Sequence, residues 1–125
     1  MRDASKSGPH DRLDLGRVGE DAALAHYLER GFCLVARNWR CSLGELDLIL
    51  RRESLLVFCE VKTRRGTALG GPYEAVHAAK QRKVRALAQA FLTQVPQAAG
   101  IRFDVASVIL PRSGPPLVHV FDDAF

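Results

Sequence analysis

The stretch GELDLILRRESLLVFCEVK, Gly44 to Lys62, decides the fold. It holds two apolar runs, Glu45–Arg51 and Leu55–Lys62, joined by the polar link Arg52–Ser54. Runs of this length rich in Leu, Ile, Val and Phe read as strands, and so short a link makes them an antiparallel hairpin. Side chains alternate between faces along a strand, so Glu45 and Asp47 point one way, and Glu60 and Lys62 share a face with Leu56 and Phe58. A hairpin centred on Arg52–Ser54 sets Asp47 opposite Glu60 and Glu45 opposite Lys62.

Outward from the hairpin, an earlier strand is expected over Phe32–Asn38, with a turn around Cys41–Gly44. Upstream lies a helix from about Gly16 to Arg30, with Asp14 as its N-cap and Gly31 as its C-terminal stop. Its predicted apolar stripe is Val18, Ala22, Ala25 and Leu28, with Leu24 and Tyr27 beside it, and Glu20 lies at the margin of that stripe. Downstream, Thr63–Ala75 is a long irregular connection, with Gly66 and Gly70-Gly71-Pro72 in it. A second helix begins near Ala78: Val84, Leu87, Ala88, Phe91, Leu92 and Val95 recur at helical spacing, and Pro96 and Gly100 end it. Strands over Ile101–Leu110 and Leu117–Phe121 follow. The order α-β-β-β-α-β-β is an α/β fold, a mixed sheet flanked by helices.

The 125 residues suit one domain, residues 14–125, after a polar leader at 1–13 expected to be disordered. At 47% hydrophobic and 26% charged, the chain has enough apolar material for a core. No run approaches a membrane span and no apolar signal-peptide centre is visible, so a cytoplasmic protein without membrane contact is expected. Cys33, Cys41 and Cys59 match neither a disulfide framework nor a metal-binding pair. They read as free thiols, with Cys33 and Cys59 in the core. His10, His26, His77 and His119 show no metal-ligand spacing. Trp39 could stack on a base, but packing under the sheet edge is the better reading.

Two carboxylates facing each other across strands repel unless a cation lies between them. Mg²⁺ suits such a place, because it takes oxygen ligands and keeps waters for a phosphate. Asp47 and Glu60 are therefore the candidate metal ligands, with Mn²⁺ as an alternative ion. Lys62, one pleat on, would orient or deprotonate a water and stabilise phosphate charge, and Glu20 would add a carboxylate. Taken singly, the strand residues read better as ordinary charged strand ends, and Glu45 with Lys62 as a weak cross-strand ion pair. Taken together on one face beside an apolar core, they favour a site.

The formal charge is +4, and it is unevenly spread. From Lys62 to Arg85, Lys62, Arg64, Arg65, Lys80, Arg82, Lys83 and Arg85 stand against a single acid, Glu74. Cations at a helix N-terminus oppose its dipole, which suggests a purpose such as holding phosphates. Arg64, Arg65, Lys80, Arg82 and Lys83 form the candidate nucleic-acid-binding rim.

Asp47 followed by Glu60-Val61-Lys62 resembles the D-x(n)-ExK signature of the PD-(D/E)XK nucleases. More widely, GRVGEDAALAHYLERGF, ARNWR, GELDLIL, LVFCEVKTRR, GGPYEAVHAAKQRKVRALAQAFL and RFDVASV resemble the YraN-like family of bacterial proteins. The resemblance implies a restriction-endonuclease-like fold and kinship with Holliday-junction resolvases, hence a homodimer by analogy. It also implies metal binding by Asp47 and Glu60, water activation by Lys62, and a match of Glu20 to the acid on the family's first helix. Leu46 stands where a proline often precedes the catalytic Asp, and Glu45 matches the family motif without an assigned role. The expected function is a Mg²⁺-dependent endonuclease on DNA, including branched or structured DNA. The alternative is a non-catalytic nucleic-acid-binding module or scaffold that keeps the nuclease fold.

Overall fold

The computed structural model describes residues 9–66, 77–95 and 99–125. Its elements, in chain order, are α1 (Pro9–Glu29), β1 (Cys33–Cys41), β2 (Gly44–Arg52), β3 (Leu55–Arg65), α2 (Ala78–Leu92), β4 (Gly100–Leu110) and β5 (Leu117–Phe121). They form one mixed sheet in the order β1-β2-β3-β4-β5. Among the described strands only the β3–β4 pair is parallel, and α2 makes the crossover between them. The predicted α/β architecture and element order are those observed. The central part of the link, residues 67–76, and the predicted stop at Pro96 lie outside the described residues. No helix among the described residues is long and apolar enough to cross a membrane.

The hairpin register is the one read from the sequence. Arg52 pairs with Leu55, and Leu48 pairs with Cys59. Glu53 supplies the positive φ of 56° that lets two residues reverse the chain. Alternation on β3 then separates two cores. Val57 and Cys59 pack with Ala23, Tyr27 and Leu50 under α1. Leu56 and Phe58 pack with Val84, Leu87, Ala88 and Phe91 under α2. Each fully buried Leu, Val or Phe contributes about 1.5–3 kcal/mol. A sheet covered on both faces explains why β2 and β3 read as near-continuous apolar runs.

Several expectations need correction. Helix α1 begins at Pro9, so Asp14 lies within it and is not its N-cap, and the helix enters the segment read as leader; residues 1–8 lie outside the described residues. Its buried face is Gly19, Ala23 and Tyr27, whereas Val18 and Leu28 are exposed. The reason is steric. A Cβ at Gly19 would run into the Thr63 side chain of β3, so the helix approaches the sheet on its smallest residues. Cys33 is exposed on the edge strand and not in the core, while Cys59 is buried and Cys41 half-buried; all three are free. Strand β3 runs on to Arg65, so Arg64 and Arg65 pair with Ile109 and Leu110 of β4 and do not open a loop. Trp39 packs edge-on against Phe91, 5.4 Å between centroids, in the α2-side core.

Candidate metal and nucleic-acid site

The site forms where the regular alternation of the sheet breaks. Leu46 packs in the α2-side core and Leu48 in the α1-side core, although two residues apart on one strand they should share a face. The facing strand switches at the same level. Arg37 reaches the α1 carboxylates while Trp39 joins the α2-side core, and Asn38 between them has a φ of 52°. Asn is one of the few side chains that tolerates that conformation. Asp47 sits at this break. The β2–β3 ladder ends at Leu48 and Cys59, one pair short of Asp47 and Glu60. In its place the Asp47 carboxylate accepts the Val61 N–H at 2.8 Å.

The expected pairing of Asp47 with Glu60 is not a rung of the ladder, but the charge of Glu60 acts on Asp47. Burial, followed by the charge of Glu60, raises the Asp47 carboxyl to about 7, with Glu20 adding to the effect. The Val61 N–H and the charge of Lys80 act in the opposite direction. Glu60 is buried, its side chain 4% exposed, and one oxygen lies 3.2 Å from Lys80 Nζ. Its other oxygen, Oε2, has no hydrogen-bond partner among the described residues. An unsatisfied buried acceptor costs about 1–3 kcal/mol, more when charged, so the fold carries an unfilled demand for a cation or donor here.

The remaining predicted residues fall into two groups. Lys62 lies on β3 two residues beyond Glu60, on the same face by alternation. It is half-buried and makes no ion pair among the described residues. Arg64 is half-buried, and Arg65, Arg82 and Lys83 are exposed. The methylene stem of Lys83 lies over the β1–β2 turn at Gly44. Lys80 is not a free rim cation, because Glu60 holds it. Arg85, counted in the basic segment, lies over the Phe103 ring at 4.7 Å. Helix α2 has no side-chain cap at His77 and no acid in its first turn, so the helix itself does not compensate its positive end.

Glu20 and Glu45 belong to the α1 side. Glu20 accepts from Arg37 Nε and Asn38 Nδ2, each at 3.2 Å. Glu45 pairs with Arg40 of β1 at 3.7 Å, so the expected Glu45–Lys62 pairing is replaced by one across the other ladder. Among the described residues no three carboxylate, His or Cys side chains converge as a ligand group, so Glu20 does not join Asp47 and Glu60 as a third ligand. Its charge does reach Asp47. Together with Arg17, Arg37, Asn38 and Arg40, Glu20 and Glu45 line a groove of about 550 Å³. In the sequence Arg37 and Asn38 carry no mark of this role beyond the ARNWR stretch. They hold Glu20 in place from the strand whose break positions Asp47.

The donor set fits Mg²⁺. It is all oxygen, two carboxylates strong, one of them with an orphaned buried atom. Mg²⁺ is commonly held by one or two carboxylates, with waters and substrate phosphate completing its shell.

Comparison with known proteins places the chain among relatives of unassigned activity. The model of the uncharacterised protein family UPF0102 matches residues 19–108. A UPF0102 protein of Clavibacter michiganensis is 46% identical over 112 residues, covering 89% of this chain and 95% of the relative. One from Frankia alni is 47% identical over 112 residues, covering 89% and 93%. One from Dictyoglomus thermophilum is 41% identical over 102 residues, covering 81% and 86%.

Proposed function

This chain belongs to the uncharacterised protein family UPF0102, and from that premise we propose that it is a Mg²⁺-dependent endonuclease hydrolysing phosphodiester bonds in DNA, branched or structured DNA included. The observation that carries the reading is half-buried Asp47 next to buried Glu60, whose Oε2 has no hydrogen-bond partner among the described residues. The fold maintains two mutually repelling carboxylates at a break in its own ladder, which a purely structural role does not require. The exposed cations Arg65, Arg82 and Lys83, with Arg64, supply attraction to a phosphate backbone.

In this reading Asp47 and Glu60 hold the metal. When bound, the ion supplies Lewis acidity and lowers the pKa of a coordinated water. Lys62 orients the attacking water and stabilises negative charge on the phosphate oxygens. Arg37 and Asn38 restrain Glu20, whose charge favours a cation beside Asp47.

The test is a cleavage assay on plasmid, linear, flapped and four-way-junction DNA with Mg²⁺, Mn²⁺ or EDTA. Expected is metal-dependent cutting that is lost in EDTA and in both Asp47→Ala and Lys62→Ala. Cutting that survives both substitutions overturns the assignment. Binding without cutting, abolished by charge reversal at Arg64, Arg65 and Lys83, would identify a nucleic-acid-binding module instead.

A further inference from the structure

We propose that Lys80 is a built-in counter-ion that competes with metal for the carboxylate site and, once displaced, contacts a substrate phosphate. The inference rests on the metal-site reading above and concerns how that site is regulated. Lys80 projects from the first turn of α2 and places Nζ 3.2 Å from Glu60 Oε1. Its charge also acts on Asp47. It therefore supplies positive charge to both acids, but incompletely, because Glu60 Oε2 has no partner among the described residues.

A divalent ion at the two carboxylates would sit about 2 Å from their oxygens. An ammonium held by the same Glu60 carboxylate is then repelled at close range and loses its partner. Lys80 is free to leave: its side chain is 38% exposed, and a lysine stem turns readily. It leaves toward the exposed side of α2, where Arg82 and Lys83 lie and where the helix start carries no acid. The charge balance supports the exchange. Asp47, Glu60 and Lys80 together carry one negative charge when the acids are ionised, and adding a divalent ion makes this one positive charge, which a single phosphodiester neutralises. The site would thus be unattractive to phosphate until metal arrives.

The experiment uses the full chain and reads binding, not turnover. Mn²⁺ affinity is measured by isothermal titration calorimetry. Affinity for a fluorescein-labelled four-way DNA junction is measured by anisotropy in Ca²⁺. Lys80→Met is expected to tighten Mn²⁺ binding by roughly three- to thirtyfold, and to weaken junction binding by about threefold or more in the presence of metal. Lys80→Arg keeps the charge and should stay within about twofold of the parent for Mn²⁺. Arg51→Met, an exposed cation near the opposite end of β2, should leave Mn²⁺ affinity unchanged. Unchanged or weaker Mn²⁺ binding in Lys80→Met overturns the counter-ion role and leaves the metal site standing. If Lys80→Met fails to fold, Lys80→Gln gives the same readout. If the parent chain binds no Mn²⁺, or binds it equally well after Glu60→Gln, the metal-site reading falls and this inference falls with it.

Discussion

Two buried carboxylates in neighbouring strands have opposite fates. Asp104 of β4, fully buried, has both oxygens satisfied. Arg102 grips it with two bonds of 2.9 Å, Tyr27 donates its hydroxyl at 2.6 Å, and the Asp123 N–H adds a bond at 3.0 Å. Glu60 of β3 has one ammonium on one oxygen and, among the described residues, nothing on the other. Burial and the nearby acid and thiol push the Tyr27 phenol far above its usual range, so it stays a donor to Asp104 at any working pH. The contrast separates two uses of a buried charge. A closed network ties α1, β4 and the C-terminal residues together, whereas an open one keeps a position for something the chain does not supply.

The contrast breaks most severely at Asp104. Asp104→Ala leaves Arg102 and Tyr27 without their partner and should cost about 3–5 kcal/mol in chemical denaturation. Glu60→Gln, equally buried, should change stability by less than about 1 kcal/mol without metal, since it removes one of two repelling charges. Comparable losses at the two positions would erase the distinction. The next effect runs the other way. Mg²⁺ or Mn²⁺ at about one hundred times its dissociation constant should stabilise the chain by about 2.7 kcal/mol. Thermal melts should show this in the parent and in Asp104→Asn, if that variant folds, and lose it in Asp47→Asn and Glu60→Gln.

A smaller effect sharpens the closed side. Tyr27→Phe removes one donor while Arg102 and the Asp123 N–H remain on Asp104. Its expected cost is about 1–1.5 kcal/mol, with no change in metal-induced stabilisation. A shift in metal response would mean that the two networks are coupled through the sheet.

These two carboxylates were not equally legible. The hairpin register follows from apolar runs on either side of a two-residue turn, which is local information, so the register that carries Asp47 toward Glu60 is legible, although the ladder stops one pair short of them. Asp104 could not be found that way. Its partner Tyr27 lies 77 residues away, and an acid in an apolar run gives no sign of being satisfied. The buried face of α1 was misplaced for a related reason. Hydrophobicity favours Val18 and Leu28, but close approach to Thr63 selects Gly19 and Ala23. Strict alternation likewise hid the break at Asn38 and Asp47, because a single positive φ on the facing strand re-aims everything beyond it.

The smallest effect is one of sign. Asp47 titrates near 7 in the fold against 3.8 as a free side chain, so between those values the folded chain holds the extra proton. Stability without metal therefore falls as pH rises through this window and levels off above about 7. Asp47 is partly accessible, so solvent screening reduces the effect to about 1 kcal/mol or less between pH 5 and 7. Asp47→Asn should flatten this part of the profile. Saturating Mg²⁺ should abolish the slope, because the ion binds the deprotonated carboxylate and releases the proton, leaving folded and unfolded chains equally deprotonated at Asp47 in this window. Calorimetric titrations in buffers of different ionisation enthalpy count that proton directly: close to one below pH 7, falling toward zero above it. A metal-bound protein whose stability still declines from pH 5 to 7 would mean that the ion sits somewhere other than on Asp47.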